Sequence, residues 1–302
     1  MIINEQLPTL GNHKCRQLLL LVDVWRNSKQ ERMLNGMTKF QICNALRAFG
    51  EAVKDCRTDD AALPWPPMLP FVYPKYWESK MRIFYIGRDT YGWGAGDGNF
   101  SYFFCKYDER DFGGYMDKNS SVLRTESRIG EWAGCTGSFW HVVNLLHLRI
   151  RFGRIADLNN LSVEEKDALD EIGYGNLNSI EIPQTLQKEG CWERIDKDKY
   201  WAIKNASNKF LDKYKLLLDA YAPQISIITS WSGDEASYFE GLRYERIVDE
   251  TEGKLKVWVY KVSNGNQDSI VIWTCHPSYL PRISVNRIDF VEKISTIVLL
   301  YK

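Results

Sequence analysis

The segment Gly87-Arg88-Asp89-Thr90-Tyr91-Gly92-Trp93 follows directly on the apolar run Met81–Ile86. A glycine at a strand's end lets the backbone turn sharply. A carboxylate two residues later then stands at the rim of a sheet, where it can hold or deprotonate a water. Tyr91 can wall that position, although the same segment also reads as a turn braced by an aspartate side chain. A second polar group stands far along the chain, where His276-Pro277-Ser278 closes the run Ser269–Cys275. The proline enforces an extended turn. An imidazole so placed can donate to a carbonyl or a developing oxyanion, or can cap a helix. Between the two lies Asn144, inside Val142-Val143-Asn144-Leu145-Leu146. A buried amide must find partners. Its donor and acceptor suit the amide-like edge of a base, and equally an internal bond to backbone. Phe100, Tyr102, Phe103 and Phe104 follow the glycine-rich loop, and one of them can stack on a flat ring while the others fill a core.

Other chemistries are disfavoured. The glycines at 92, 94, 96 and 98 form no G-x-G-x-x-G, and no Gly-Lys-Ser/Thr follows, which argues against nucleoside triphosphates and dinucleotides. No G-x-S-x-G elbow is present. The 7 cysteines include no C-x-x-C, and the 4 histidines no H-x-x-x-H, so no metal, iron–sulfur cluster or other cofactor is expected. Scattered cysteines of odd number read as reduced intracellular thiols. A formal net charge of zero argues against a tight, nonspecific grip on a long duplex. Any basic footprint is local, at Arg149, Arg151 and Arg154 or at Arg282 and Arg287, and either group reads equally as a solvated surface. With 44% hydrophobic and 26% charged residues the chain reads as globular and soluble. No apolar run is long enough to span a bilayer and no secretory signal is evident, so a cytoplasmic protein without a membrane partner is expected.

Positioning these groups requires a sheet. Residues 14–56 show two apolar stripes near helical period, split at Asn35-Gly36. Five prolines between residues 63 and 77 mark an irregular connector. Met81–Ile86, Ile225–Thr229 and Ser269–Cys275 read as buried strands, and Tyr244–Val248 with Lys254–Val262 as a hairpin around Glu252-Gly253. Phe139–Leu148 is a further apolar run, residues 155–200 read as a polar insertion with short helices, residues 201–220 as one amphipathic helix, and Val285–Leu299 as a closing helix. The expected architecture is a three-layer α/β/α domain over residues 80–302, with a central, mostly parallel, four-stranded sheet, preceded by an N-terminal helical extension over residues 1–79. Ligands bind at the carboxyl ends of such strands. The loops at Gly87, near Asn144, at Ser230 and at His276 should then share one rim.

Taken in order, these segments resemble the uracil-DNA glycosylase superfamily. Its members carry a G-Q-D-P-Y-H loop after the first sheet strand, then an aromatic stacker, an asparagine near the second strand, and an H-P-S loop after the last. Gly87, Asp89 and Tyr91 match the first loop; Arg88, Thr90 and Gly92 depart from it. His276-Pro277-Ser278 matches the last loop and Leu280 extends it loosely. The resemblance covers roughly residues 80–300 and implies excision of a base flipped out of DNA, or action on another nucleobase-containing ligand. It implies that Asp89 positions a water and offsets positive charge on the sugar, and that His276 stabilises charge on the departing base. Asn144 would read the base edge, with Gly87, Arg88, Pro277 and Ser278 lining the pocket. Phe100 or Tyr102 would stack on the base, Tyr91 would limit pocket size, and Tyr279, Leu280 and Arg282 would press on DNA. The altered first loop leaves an alternative: a catalytically inactive member of the same fold that binds nucleic acid or protein.

Overall fold

The computed structural model describes residues 38–56, 64, 66–89, 112, 114–116, 138–188, 190–231 and 234–302. Tyr91, Phe100 and Tyr102 lie outside the described residues, as does the first of the two expected N-terminal helices.

Among the described residues the chain forms an α/β fold on a mixed sheet of seven strands: β1 Phe71–Val72, β2 Ile83–Gly87, β3 Ile172–Asn176, β4 Ile225–Thr229, β5 Arg243–Glu252, β6 Leu255–Ser263 and β7 Asp268–Thr274, ordered β1-β3-β2-β4-β7-β6-β5. The expectation of four strands is corrected on this point. Four central strands, β3, β2, β4 and β7, do run parallel, but antiparallel pairings add β1 at one edge and the β6–β5 hairpin at the other. β2 and β4 are buried along their whole length, as strands covered on both faces should be.

Tyr85 sends its hydroxyl to His147 on α2, Ser138–Phe152. Its neighbour Phe84 points the other way, against Tyr221 of α6, Tyr214–Tyr221. This alternation puts helices on both faces. The closing helix α8, Arg287–Leu300, lies beside α2, joined by an Arg149–Glu292 ion pair. Covered by the sheet on one side and by neighbouring helices on the other, α2 is buried nearly all round.

Three further elements differ from expectation. Residues 201–220 are two helices, α5 Lys197–Phe210 and α6, because Leu211–Lys213 turns to aim Asp212 inward. The polar insertion contains β3. The proline connector contributes β1 to the sheet, and the helix at residues 38–52, α1, buries Ile42, Leu46 and Phe49, with Val53 just past its end, in the same core as the strands. Among the described residues no helix is long and apolar enough to cross a membrane.

Candidate functional site

The site is built where the four parallel strands end. β2 stops at Gly87, which sits in register with Asn176, the last residue of β3. A Cβ on Gly87 would lie 2.5 Å from the Asn176 Oδ1, so only glycine allows that approach. Asn176 accepts from the Tyr174 hydroxyl at 2.9 Å.

Past Gly87 the chain is clamped. The Arg88 carbonyl accepts from the Asn178 backbone N–H at 3.0 Å and from its side-chain amide at 2.7 Å. Asn178 in turn accepts from Lys204, whose ammonium also reaches Asp212 at 3.1 Å. That buried pair is fully satisfied. Asp212 takes further bonds from the backbone N–H and hydroxyl of Ser179 and from the Ser207 hydroxyl. A buried charge persists only with such partners.

Asp89 is nearly inaccessible and held at both oxygens. Oδ1 accepts from Arg88 Nε at 2.9 Å, and Oδ2 from the Thr185 hydroxyl at 2.5 Å. Thr185 comes from α4, Pro183–Lys188. Each carboxylate oxygen has two acceptor positions, so Asp89 keeps capacity for a water. Its charge reaches its neighbours: after burial, Asp89 is the next cause raising the Tyr200 hydroxyl.

His276 meets this pair from across the sheet. Its Nδ1 accepts the Ser278 backbone N–H at 3.2 Å and faces the Ser278 hydroxyl at 2.8 Å. An amide N–H can only donate, so Nδ1 is the acceptor and Nε2 carries the proton. Burial pushes the ring down to about 4; the Arg88 cation lowers it further and the Asp89 carboxylate opposes both. His276 is therefore a neutral donor near pH 7, within electrostatic reach of Arg88 and Asp89. Phe139 stacks on it, with centroids 5.8 Å apart and planes at 18°. Phe139 and Trp140 both pack against Tyr174, so aromatic rings link the last strand to β3.

Gly87, Arg88 and Asp89 thus share the rim with His276, which follows β7 on the far side of β4. Pro277 is buried under the turn and Ser278 fixes the imidazole. Asn144 does not join them. It lies within helix α2, not in a loop near a strand; it is buried, and its Nδ2 has no hydrogen-bond partner. No hydrogen bond among the described residues joins it to Asp89 or His276. The asparagine at the end of the second parallel strand is Asn176. Leu280 is also corrected: it is wholly buried, so its side chain cannot press on DNA, whereas Tyr279 is half-buried and Arg282 exposed. Among the described residues no group of three or more His, Cys, Asp or Glu gathers as metal ligands.

Sequence reasoning missed Thr185, Asn178, Lys204, Asp212, Phe139 and Asn176. Only Asn176 had a signal, as a polar residue closing Ile172-Gly-Tyr-Gly, and the glycines there read against a strand.

Comparison with family models, with curated proteins and with solved structures returned no match.

Proposed function

We propose that the protein is a divergent uracil-DNA glycosylase-like hydrolase that cleaves the N-glycosidic bond of a base flipped out of DNA. One observation carries the reading. A tethered carboxylate, Asp89, and a neutral donor, His276, follow the ends of β2 and β7, which flank β4 at one rim, although 187 positions separate them in the chain. The segments that hold them are the two that resemble the family most.

In the reaction, the bond between the sugar C1′ and the base nitrogen breaks and its electron pair leaves with the base. Water oxygen bonds to C1′, and the proton that water gives up ends on the base. Asp89 offsets the positive charge on the sugar and holds the water through its remaining acceptor positions. Nε2–H of His276 donates to the oxygen of the departing base, which acts only where charge develops. A neutral ring suits that role because it need not lose a proton. Asn176, fixed by Tyr174 and set against Gly87, supports the edge-reading role in place of Asn144.

The test is release of free base from oligonucleotides containing uracil, hypoxanthine or xanthine. The His276→Ala and Asp89→Asn variants should lose activity, roughly 10²- to 10³-fold for a single aimed donor. Equal release by wild type and Asp89→Asn would reject the assignment.

The tying of both Asp89 oxygens favours a second reading, a binding module on this fold without catalysis. DNA binding that falls steeply with salt, with no base released, would select it.

A further inference from the structure

The torsion that orients an aspartate carboxylate about its Cβ–Cγ bond is broad and roughly two-fold, so covalent geometry alone leaves the oxygens free to turn. Donors decide which way they face. One donor fixes one oxygen and lets the group swing about that bond; a second donor on the other oxygen fixes the plane. Asp89 has one on each, Arg88 Nε on Oδ1 at 2.9 Å and the Thr185 hydroxyl on Oδ2 at 2.5 Å. An ionised carboxylate only accepts, so Thr185 is the donor.

The two donors are not equal. Arg88 is the neighbour of Asp89 in the chain and its side chain is 25% exposed, so the two can swing together. Thr185 lies 96 positions away, is buried, and belongs to a segment tied at several points. Its N–H donates to the Ile182 carbonyl at 3.0 Å. The Glu181 carbonyl accepts from the Tyr200 hydroxyl at 2.9 Å. Tyr200 is wholly buried, with the rings of Trp192 and Trp201 each 5.0 Å from its own. Leu186, next to Thr185, packs into the main core. Thr185 is therefore the fixed anchor of the carboxylate.

We infer that Thr185 is a positioning residue for base release: its hydroxyl sets the plane of the Asp89 carboxylate, and with it the direction in which the remaining acceptor positions hold the attacking water. Thr185 acts through Asp89 and takes no part in the bond changes. The inference rests on the glycosidase reading above. A reacting atom displaced by about 1 Å can cost on the order of 10²-fold in rate. Binding of the base uses other groups, so the loss should fall on the chemical rate and spare affinity.

Single-turnover base release over a range of enzyme concentrations separates the maximal rate from the half-saturating concentration. Wild type is compared with Thr185→Val, Thr185→Ser and Thr185→Ala, each first checked by circular dichroism and thermal unfolding. Thr185→Val keeps the volume and loses the hydroxyl; Thr185→Ser keeps the hydroxyl and loses a methyl. The maximal rate should fall roughly 10- to 100-fold in Thr185→Val. Thr185→Ser should regain most of it, with half-saturation near wild type in both. A role in packing alone gives the opposite order. Thr185→Ala carries the comparison with Thr185→Ser should Thr185→Val fail to fold. In an Asp89→Asn background Thr185→Val should cost little further, since the group it aims is already gone. A faster Thr185→Val than Thr185→Ser, a loss confined to half-saturation, or a fully additive loss with Asp89→Asn would overturn the inference and leave the glycosidase standing. No base released by wild type would overturn both.

Discussion

Phe139 lies nearly parallel to His276, with the ring centroids 5.8 Å apart and the planes at 18°. The contact keeps water from one face of the imidazole, and burial is the largest cause of its fall to about 4. Phe139→Ala should therefore raise the His276 pKa toward 6.5. Ring-proton NMR titration, with the resonance assigned by its loss in His276→Ala, reads this directly. The same change has a kinetic counterpart. If His276 acts as a neutral donor, wild-type base release should not fall through its protonation until the pH nears 4. The acid limb in Phe139→Ala should move upward. An unchanged titration would show that the phenyl ring does not shield the imidazole.

His147 is wholly enclosed, hydrogen-bonded to Tyr85, and pushed down to about 4 by burial. Its folded pKa lies below its unfolded value near 6.5. Between those values the unfolded chain binds more protons, so stability falls as pH drops from about 6.5 to about 4. His276 adds a loss of the same sign. His147→Gln should flatten part of this dependence, a difference of up to a few kcal/mol. Urea unfolding at pH 7 and at pH 4.5 measures it, and parallel curves for the two proteins would contradict the assignment.

The strands Ile225–Thr229 and Asp268–Thr274 were legible because buried parallel strands are continuously apolar. The hairpin was legible because Gly253 takes a left-handed φ of 58° at its turn. Asp89 and His276 were legible because each follows such a strand closely. β3 was not, since glycine at 173 and 175 lowers strand propensity; the reason is tertiary, the Phe84 ring over Gly173 and the closeness of Pro70 and Phe84 to Gly175. With β3 hidden, Asn176 was hidden too. Asn144 sits in an apolar run of helical length that periodicity alone cannot tell from a buried strand. Thr185 and Lys204 act through partners about 96 and 26 positions away, a pairing that no local pattern encodes.

Lys204 and Asp212 bury opposite charges in a pocket of hydroxyls and amides. Lys204→Met leaves the Asp212 carboxylate enclosed without its cation and should cost about 3–5 kcal/mol. Adding Asp212→Asn removes the stranded charge but keeps an acceptor for Ser179. The double variant should therefore regain much of the loss. Guanidinium unfolding midpoints test the order. A double variant less stable than Lys204→Met would mean that the carboxylate is held by its hydroxyl and amide donors alone.

Two glycines on adjacent strands should respond to alanine in opposite ways. A Cβ at Gly173 would stand 2.2 Å from Phe84 Cδ2. That ring is fixed between Tyr76, 6.2 Å away edge-on, and Tyr221, 5.3 Å away. It cannot yield without moving β2 from β3, so Gly173→Ala should destabilise by at least the 1–3 kcal/mol of an overpacked core. At Gly87 the obstacle is the Asn176 side-chain oxygen at 2.5 Å. A side-chain amide can rotate away, so the stability cost of Gly87→Ala should be smaller. The rotation would break the bond from Tyr174 and turn the amide off its axis. If Asn176 reads the base, Gly87→Ala should lose base release out of proportion to its loss of stability, while Gly173→Ala should lose activity only as it unfolds. Thermal unfolding and base release measured on the same preparations separate the two, and proportional losses in both variants would remove Asn176 from the site.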